Sequence, residues 1–273
     1  MKNKVKLSAL LAATLLAGCA SDREVERVSP LPVFTPSLQI QRVWSAGTGH
    51  GTDGKYLRQN PHIAHGKVYT TSYTGEVAAT DAVCGRKVWQ TSVRDHITSG
   101  AGAGNGVVAV GTLGGTVYAF SEERGALLWQ MPVQSEILAT PVIADNKVLI
   151  KTDSGDLQAL DASTGRRLWN HHHTPPELTL RGGSSPVVVG NQVIDGLSDG
   201  QLVSLNLNDG RVRWSQQIAV PHGASIIERL VDIDGEPVVR DGVIYVVTYQ
   251  GKLAAVDLHS GHIKWQRDFS SYV

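Results

Sequence analysis

The sequence has very little cysteine and no excess of charge of either sign. Two cysteines in 273 residues cannot build a disulfide framework or a four-ligand zinc site. The 25 basic and 25 acidic residues balance, so the electrostatic attraction that drives nucleic-acid binding has no source here. The composition is otherwise globular. We therefore expect a fold held together by apolar burial, with no nucleic-acid partner.

The N-terminal segment lacks the length for a membrane span. Its apolar run, Leu7–Leu16, has ten residues, against about 20 for a transmembrane helix. The residues before this run include Lys2, Lys4 and Lys6, and Leu16-Ala17-Gly18-Cys19 at its end resembles the bacterial lipobox. Basic, apolar and small residues in this order are typical of a signal peptide. We predict a lipoprotein signal peptide over residues 1–18; the alternative is an ordinary secretory leader that contains Cys19 by chance.

The resemblance to a lipobox has consequences for location. It implies that the Cys19 thiol carries diacylglycerol and that Cys19 becomes the first mature residue. Several acyl chains anchor a protein durably, at about 0.8 kcal/mol per buried CH₂. Ala20 stands where an aspartate would retain a lipoprotein at the inner membrane, which implies the outer membrane, facing the periplasm. Residues 19–37 are polar and contain three prolines, so we predict a flexible tether there.

Tryptophan recurs along the rest of the chain at a nearly constant interval. The six tryptophans are Trp44, Trp89, Trp129, Trp169, Trp214 and Trp265. Each of the last five has a glycine four residues earlier, namely Gly85, Gly125, Gly165, Gly210 and Gly261. Each also has a glycine fourteen residues earlier and a small residue ten residues earlier. Five matching sets at three offsets indicate a repeat protein with a period near forty residues.

Each repeat contains four short segments separated by turns that carry Asn, Asp or Gly. In the third copy the predicted strands are Pro141–Ala144, Lys147–Thr152, Asp156–Asp161 and Arg166–Trp169. Glycine in these turns permits the positive φ of tight hairpins, and four-stranded units of this length are typical of β-propeller blades. We predict an all-β propeller over residues 38–273 with five complete blades, preceded by a lone outer strand that carries Trp44.

The third repeat resembles the propeller repeat of quinoprotein dehydrogenases, in Gly155-Asp-Leu-Gln-Ala-Leu-Asp161 and Thr164-Gly165-Arg-Arg-Leu-Trp169. That family docks the last-strand tryptophan between adjacent blades, which implies a structural role for the tryptophans here. A quinone-cofactor dehydrogenase is one alternative function, but such enzymes often carry an adjacent cysteine pair, and this sequence has none. A ligand-binding propeller for glycans is another; it predicts aromatic residues in the longer connections 170–185 and 215–236, which contain none.

Three further segments resemble the BamB family of outer-membrane assembly lipoproteins. They are Ser29-Pro-Leu-Pro32, Leu178-Thr-Leu-Arg-Gly182 and Arg229-Leu-Val-Asp-Ile-Asp-Gly-Glu-Pro237. The resemblance implies a non-catalytic scaffold of the β-barrel assembly (BAM) complex, without a cofactor. It also implies binding to the periplasmic domains of BamA, contact with other subunits of the complex, and assistance in the insertion of outer-membrane proteins. Propellers of this family have eight blades, so we expect this sequence to be truncated at its C-terminus.

The connections between blades vary in length, whereas the blades do not. The prolines that precede the next tryptophan by 28 residues are Pro61, Pro141, Pro186 and Pro237. From each preceding tryptophan to the next of these four prolines, the distance varies between 12 and 23 residues. Blade-to-blade connections emerge on one face of a propeller. We therefore predict that this face is elaborated for binding.

The family resemblance places the contact positions in these connections. It implies partner binding by Leu178, Leu180 and Arg181 in the first lengthened connection, and by Asp232 and Asp234 in the second. Apolar anchors beside a forked cation suit a protein interface. The aspartates have two expected roles, to hold Arg181 in its binding orientation or to meet a basic patch on the partner. The alternative is that the leucines only pin their loop to the ring and that the charges are solvated.

Other candidate residues point to structure rather than chemistry. His171, His172 and His173 lie in a predicted exposed loop, where consecutive residues rarely share a metal. Asp232-Ile-Asp234-Gly235 resembles the start of a calcium loop, but the required spacing to a later bidentate glutamate is missing. The glycines between positions 100 and 106 are expected to let inner strands converge near the axis. Cys84 has no predicted disulfide partner, because Cys19 is predicted to be lipidated. We predict no metal site and no catalytic residue.

Overall fold

Five four-stranded antiparallel sheets follow one another along the chain. The structure is a computed structural model that describes residues 37–249 and 251–268. The predicted signal peptide, Cys19 and all but the last residue of the predicted tether lie outside the described residues. All five sheets belong to the unit that begins at Val43. Each sheet pairs its four strands in chain order, which is the topology of a propeller blade and confirms the predicted fold class.

The blades are numbered in chain order, and each contains a short innermost strand followed by three longer ones. Blade 1 contains β1 (His62–Ala64), β2 (Lys67–Thr71), β3 (Glu76–Asp81) and β4 (Lys87–Ser92). Blade 2 contains β5 (Gly102–Gly104), β6 (Val107–Gly111), β7 (Thr116–Ser121) and β8 (Leu127–Pro132). Blade 3 contains β9 (Val142–Ala144), β10 (Lys147–Lys151), β11 (Asp156–Asp161) and β12 (Arg167–His172).

Blades 4 and 5 repeat this arrangement. Blade 4 contains β13 (Val187–Val189), β14 (Gln192–Gly196), β15 (Gln201–Asn206) and β16 (Val212–Gln217). Blade 5 contains β17 (Val238–Arg240), β18 (Val243–Thr248), β19 (Lys252–Asp257) and β20 (Ile263–Asp268). A single 3₁₀ turn, Ile227–Arg229, lies in the connection between them. The five predicted complete blades are therefore present.

The small residue ten positions before each tryptophan has a structural reason. In blade 3, Ala159 lies directly opposite Trp169 across the β11–β12 pair, and the pairing register shifts immediately after Ala159. The same pairing and the same shift occur in the other four blades. Residues paired across two strands share one face of the sheet, so a small side chain leaves room there for the indole.

Five of the six tryptophans lie against a glycine of the following blade. A Cβ atom added to Gly165 would lie 2.6 Å from the Trp129 ring, and Trp129 Nε1 donates to Ala162 O at 2.8 Å. Gly165 also has a φ of +73°, so both space and conformation require glycine there. The other pairs are Trp44–Gly85, Trp89–Gly125, Trp169–Gly210 and Trp214–Gly261. The predicted docking of tryptophan between blades is confirmed.

The segment around Trp44 has no described strand paired with it. Trp44 lies in the expected place, with its Nε1 donating to Ala82 O at 3.1 Å. However, none of the described residues before β1 forms a strand. An extended segment becomes a strand only when a neighbouring strand accepts and donates its backbone hydrogen bonds, and no described strand pairs with this one. The predicted lone strand has no described partner to pair with, as expected of an orphan strand, and its tryptophan docks as expected.

The apolar core lies between neighbouring blades. Val117 and Trp129 of blade 2, for example, belong to one buried cluster with Val148 and Leu160 of blade 3. Similar clusters join blade 1 to blade 2, blade 3 to blade 4, and blade 4 to blade 5. Among the described residues, no helix has the length and apolar character needed to cross a membrane. The blades pack alike, so the largest differences between them lie in the connections that join one blade to the next.

Candidate functional site

The connections between blades lie against the hairpins that join the second and third strands. Val93 N, just after β4, donates to Gly75 O at 2.9 Å, and His173 N makes the equivalent bond to Gly155 O at 2.9 Å. A Cβ atom on Gly155 would lie 1.9 Å from His173 O, so glycine is what lets the connection approach the hairpin. The lengthened connections therefore leave the ring on the same face as these hairpins.

Hydrogen bonds join the two lengthened connections, residues 173–186 and 218–237. Leu180 N donates to Asp232 Oδ1 at 2.9 Å, and Gly183 N donates to Asp234 Oδ1 at 2.8 Å. Ser184 Oγ donates to Ile233 O at 3.0 Å. The structure thus brings residues from both predicted contact segments together. We call Leu178, Leu180, Arg181, Asp232 and Asp234 the docking cluster.

Asp232 lies in the interior of the docking cluster. Its side chain and backbone together are only 4% exposed, and its Oδ2 atom is buried without a hydrogen-bond partner among the described residues. Burial raises the pKa of Asp232 to about 6. The N–H groups of Leu180 and of Asp232 itself oppose this rise, the charge of Asp234 adds to it, and the charge of Lys151 opposes it. Asp232 therefore contacts the first connection and is hidden from solvent.

The two acidic residues do not orient Arg181, which corrects one of their two expected roles. Asp234 forms an ion pair with Arg58 Nη2 instead, and Arg58 Nη1 donates to Asp234 O at 2.7 Å. Arg181 Nη2 donates to Glu136 Oε1 at 2.6 Å. Arg58 precedes blade 1 and Glu136 follows blade 2, so no local spacing in the sequence connects them to these partners. Sequence analysis therefore missed both.

Two residues of the docking cluster face solvent. Leu178 is 42% exposed, and the Arg181 side chain is 51% exposed even with its bond to Glu136. Leu180, between them, is half-buried and is held through its backbone N–H. The Leu178 side chain and the Arg181 guanidinium are therefore both exposed on a segment whose backbone is hydrogen-bonded to Asp232 and Asp234.

A cavity of about 60 Å³, lined by both apolar and charged side chains, lies beneath the docking cluster. Lys151 Nζ, on its wall, donates to Asp195 Oδ1 at 2.8 Å and to Gly196 O at 2.5 Å. Burial raises the pKa of Asp195, against the opposing charge of Lys151. This ion pair ties blade 3 to blade 4 directly under the connection that carries Arg181.

The three consecutive histidines diverge from one another. His171 and His172 belong to β12, which corrects the predicted exposed loop, because the strand continues past Trp169 to pair with the start of β11. His172 Nδ1 lies 3.0 Å from Asp156 Oδ1, and His173 Nε2 lies 3.2 Å from Asp199 Oδ2. Burial lowers the pKa of His171. No set of three or more metal-ligating side chains occurs in residues 37–249 and 251–268.

The outer part of the second connection presents apolar side chains that the sequence analysis missed. Val220 and Ile226 are both exposed. Their loop is stiffened by its own hydrogen bonds, since Glu228 Oε2 accepts from Ala224 N at 2.7 Å and Glu228 N donates to Ser225 Oγ at 3.2 Å. A Ser-x-x-Glu pattern is the sequence sign of such a cap, and Ser225-Ile-Ile-Glu228 carries it.

Comparison with known proteins gives consistent matches over most of the chain. A family model described as outer membrane protein assembly factor BamB matches residues 73–273. The protein of that name from Pseudomonas aeruginosa is 43% identical over 98% of this chain and 71% of its own length. The Marinobacter adhaerens protein of that name is 51% identical over 96% of this chain and 67% of its own length.

Solved structures match as well. The crystal structure of BamB from Moraxella catarrhalis has a TM-score of 0.73 at 29% identity, covering 79% of this chain and 66% of that chain. A quinohemoprotein alcohol dehydrogenase from Comamonas testosteroni has a TM-score of 0.64 at 17% identity, covering 80% and 43%. At that identity the dehydrogenase shares the fold alone. The relatives that are similar in sequence are named as assembly factors and not as enzymes.

Proposed function

The chain belongs to the BamB family of outer membrane protein assembly factors, and from that premise we propose that it is a non-catalytic scaffold of the BAM complex. In this proposal it binds the periplasmic domains of BamA, contacts other subunits of the complex, and assists the insertion of outer-membrane proteins. It does so without a cofactor. As a scaffold, the protein would hold BamA in place, which requires rigidly packed blades and a defined contact surface.

The display of Leu178 and Arg181 on a fixed backbone carries this proposal. Binding costs less when the contacting residues are already ordered, and here Leu180 N and Gly183 N are tied to Asp232 and Asp234. An exposed leucine next to an arginine supplies apolar area and a forked donor of the kind that dominates protein interfaces. In this proposal Leu178 and Arg181 touch BamA, while Leu180, Asp232 and Asp234 serve the interface by holding the loop.

The proposal also includes a membrane anchor at Cys19, facing the periplasm from the outer membrane. A lipid at Cys19 would confine the scaffold to the surface where barrel insertion occurs. We expect Cys19→Ser to abolish incorporation of labelled fatty acid and to shift the protein out of the membrane fraction. Unchanged labelling and unchanged fractionation of Cys19→Ser would contradict the anchor.

The docking surface is tested by measuring affinity for the purified periplasmic domains of BamA. We expect Leu178→Ala and Arg181→Ala each to weaken binding by about tenfold or more, as residues at the centre of an interface do. Stability should change little, because an exposed ion pair such as Arg181–Glu136 contributes about 0–1 kcal/mol.

Matched controls come from the outer strand of blade 2 and the turn before it. Leu128 is an exposed leucine, and Arg124 is an exposed arginine paired with the neighbouring Glu123. Leu128→Ala and Arg124→Ala should bind at the wild-type level. Equal binding by all four variants, or a loss that always accompanies a lower melting temperature, would show that the docking cluster is not the contact surface.

A further inference from the structure

We propose that Asp232 is a positioning residue that fixes the docking loop from inside the protein, and that protonation of its carboxyl group strengthens this hold. The inference rests on the proposed function, because the loop that Asp232 fixes is the one that carries Leu178 and Arg181. It assigns a regulatory property, stronger docking in mildly acidic solution, to the same site.

The geometry excludes direct contact between Asp232 and a partner. Asp232 is buried, its Oδ1 accepts from Leu180 N at 2.9 Å, and its own carbonyl oxygen accepts from Tyr249 N at 2.8 Å. Asp232 therefore holds two segments: its backbone carbonyl contacts the residue just after β18 of blade 5, and its carboxyl group contacts the backbone of the docking loop. Its effect on a partner has to pass through Leu180, whose chain neighbour Arg181 points outward.

The second carboxyl oxygen is the unusual feature. Oδ2 is buried, and no described donor reaches it. A buried carboxylate with an unpaired oxygen is costly, whereas the neutral acid places its proton on that oxygen and removes the charge. The neutral acid keeps Oδ1 as an acceptor for the Leu180 N–H, so the contact with the loop survives protonation.

The surrounding charges do not neutralise Asp232. The other charged or titratable residues that line the adjoining cavity are Lys151, Asp153, Asp156, His171, His173, Asp195 and Asp234. The one lysine among them donates to Asp195 and Gly196. Asp234 is paired with Arg58, and His173 lies next to Asp199. The carboxylates outnumber the cations in this cavity, which favours the protonated form of a further buried acid.

The direction of the pH effect follows from linkage. The pKa of Asp232 is about 6 in the ordered site, compared with its usual 3.8. If the loop opens, the carboxyl group meets water and returns toward its usual pKa, so the ordered loop holds a proton that the open loop releases. Order is therefore favoured as the pH falls from above 6 toward 4, by at most about 100-fold for a pKa difference near two units.

Three proteins test this proposal: the wild type, Asp232→Asn and Asp232→Ala. We expect the affinity of the wild type for the BamA periplasmic domains, divided by that of Asp232→Asn, to rise between pH 7.5 and pH 5.5, at most by the inverse of the fraction of free protein whose loop is already ordered at pH 7.5. Titration of the partner itself cancels in this ratio. Asp232→Asn keeps an acceptor for Leu180 N without a charge, so it should bind at pH 7.5 at least as tightly as the wild type. Asp232→Ala should bind weakly at both pH values.

Amide hydrogen exchange of Leu180 supplies a readout that needs no partner. After correction for intrinsic exchange, protection of the Leu180 amide should increase in the wild type as the pH falls and stay constant in Asp232→Asn. His171→Gln and His173→Gln, which remove the histidines of the same cavity, should retain the wild-type pH dependence. If either one abolishes it, the titrating group is that histidine and the proposal is overturned.

The outcomes separate this inference from the proposed function. If no protein binds BamA but Leu180 protection follows pH as expected, the proposed partner is wrong and the role of Asp232 stands. If Leu178→Ala weakens binding but the wild-type to Asp232→Asn ratio and Leu180 protection do not change with pH, the docking surface stands and this inference fails. Should Asp232→Ala not fold, Asp232→Asn alone decides.

Discussion

The interfaces between blades and the docking cluster are built in different ways. Every interface between described blades uses the same contact, a tryptophan against a glycine turn, with the indole N–H donating to a carbonyl of the next blade. The docking cluster uses contacts that occur once, such as Arg58 with Asp234 and Leu180 with Asp232. The repeated tryptophan–glycine interfaces stabilise the packing of the blades, whereas the contacts that occur once give the docking cluster its specific surface.

The largest effect is expected from removing an interface tryptophan. Trp129→Ala deletes an indole that is only 9% exposed, so we expect a loss of about 3–5 kcal/mol in the free energy of unfolding, measured by urea denaturation. Binding to BamA under conditions where the variant is folded should be nearly unchanged. This is the reverse of the result expected for Arg181→Ala, which removes binding and spares stability.

Trp265 provides the matched control for Trp129. It occupies the same position in blade 5 but is 42% exposed, so Trp265→Ala should cost only about 1–2 kcal/mol, in proportion to the smaller apolar area it buries. Equal losses for the two variants would mean that the glycine contact is not what makes the tryptophans important.

A smaller effect is expected at the one interface that departs from the apolar pattern. Where the other blades place Ala82, Ala162, Leu207 and Leu258, blade 2 places Glu122. Its Oε1 accepts from the buried Tyr69 hydroxyl at 2.9 Å, and His65 Nδ1 lies 2.6 Å from the same atom. Glu122→Ala leaves the Tyr69 hydroxyl buried and unpaired, so we expect a loss of about 1–3 kcal/mol. Adding Tyr69→Phe should restore part of it, because both partners are then apolar.

The pH dependence of stability gives a second measurement on Glu122. Burial alone would raise its pKa, but hydrogen bonds from His65 and Tyr69, the charge of His65, and the Gly106 N–H hold the pKa below its usual value. A carboxyl whose pKa is lower in the folded state stabilises the protein above its unfolded pKa, and this contribution is lost as the pH falls. Melting temperatures between about pH 5 and about pH 3 should therefore fall less steeply for Glu122→Ala than for the wild type. Parallel curves would contradict this.

The parts of the fold that repeat could be predicted from the sequence. Glycine, the small residue opposite the tryptophan, and the tryptophan itself recur at fixed offsets because each is required by the same packing in every blade. Gly165, Ala159 and Trp169 are the examples in blade 3. Gly102 of β5 also matches its predicted role, since a Cβ atom there would lie 1.9 Å from Pro141 O. The segment at Trp44 is predicted as a strand without a partner; no described strand pairs with it, and the tryptophan makes the expected contact.

The two segments of the candidate site could be chosen from the sequence, but the contacts between them could not, and their role in binding stays a prediction. Differences in connection length and the family resemblance both indicate residues 178–181 and 232–234, and the structure brings these two segments together. The burial of Asp232 could not be predicted, because nothing in the local sequence distinguishes it from Asp234, and only the folded structure shows that Asp232 is buried. The partners of Arg181 and Asp234 are equally hidden, because Glu136 and Arg58 lie 45 and 176 residues away.

The tryptophan–glycine contact has a consequence for assembly of the chain itself. Since the same indole meets the same turn at each described interface, the contact does not distinguish one blade from another. As far as this contact is concerned, blade order depends on the covalent connections and on contacts that occur once, such as Lys151 with Asp195. At high protein concentration, incompletely folded molecules therefore expose many equivalent apolar blade surfaces. A blade of one molecule can then pack against a blade of another, which is the domain swapping to which repeat proteins are prone. Dilution during refolding should raise the yield of chains with correctly paired blades, because pairing within one chain does not depend on concentration.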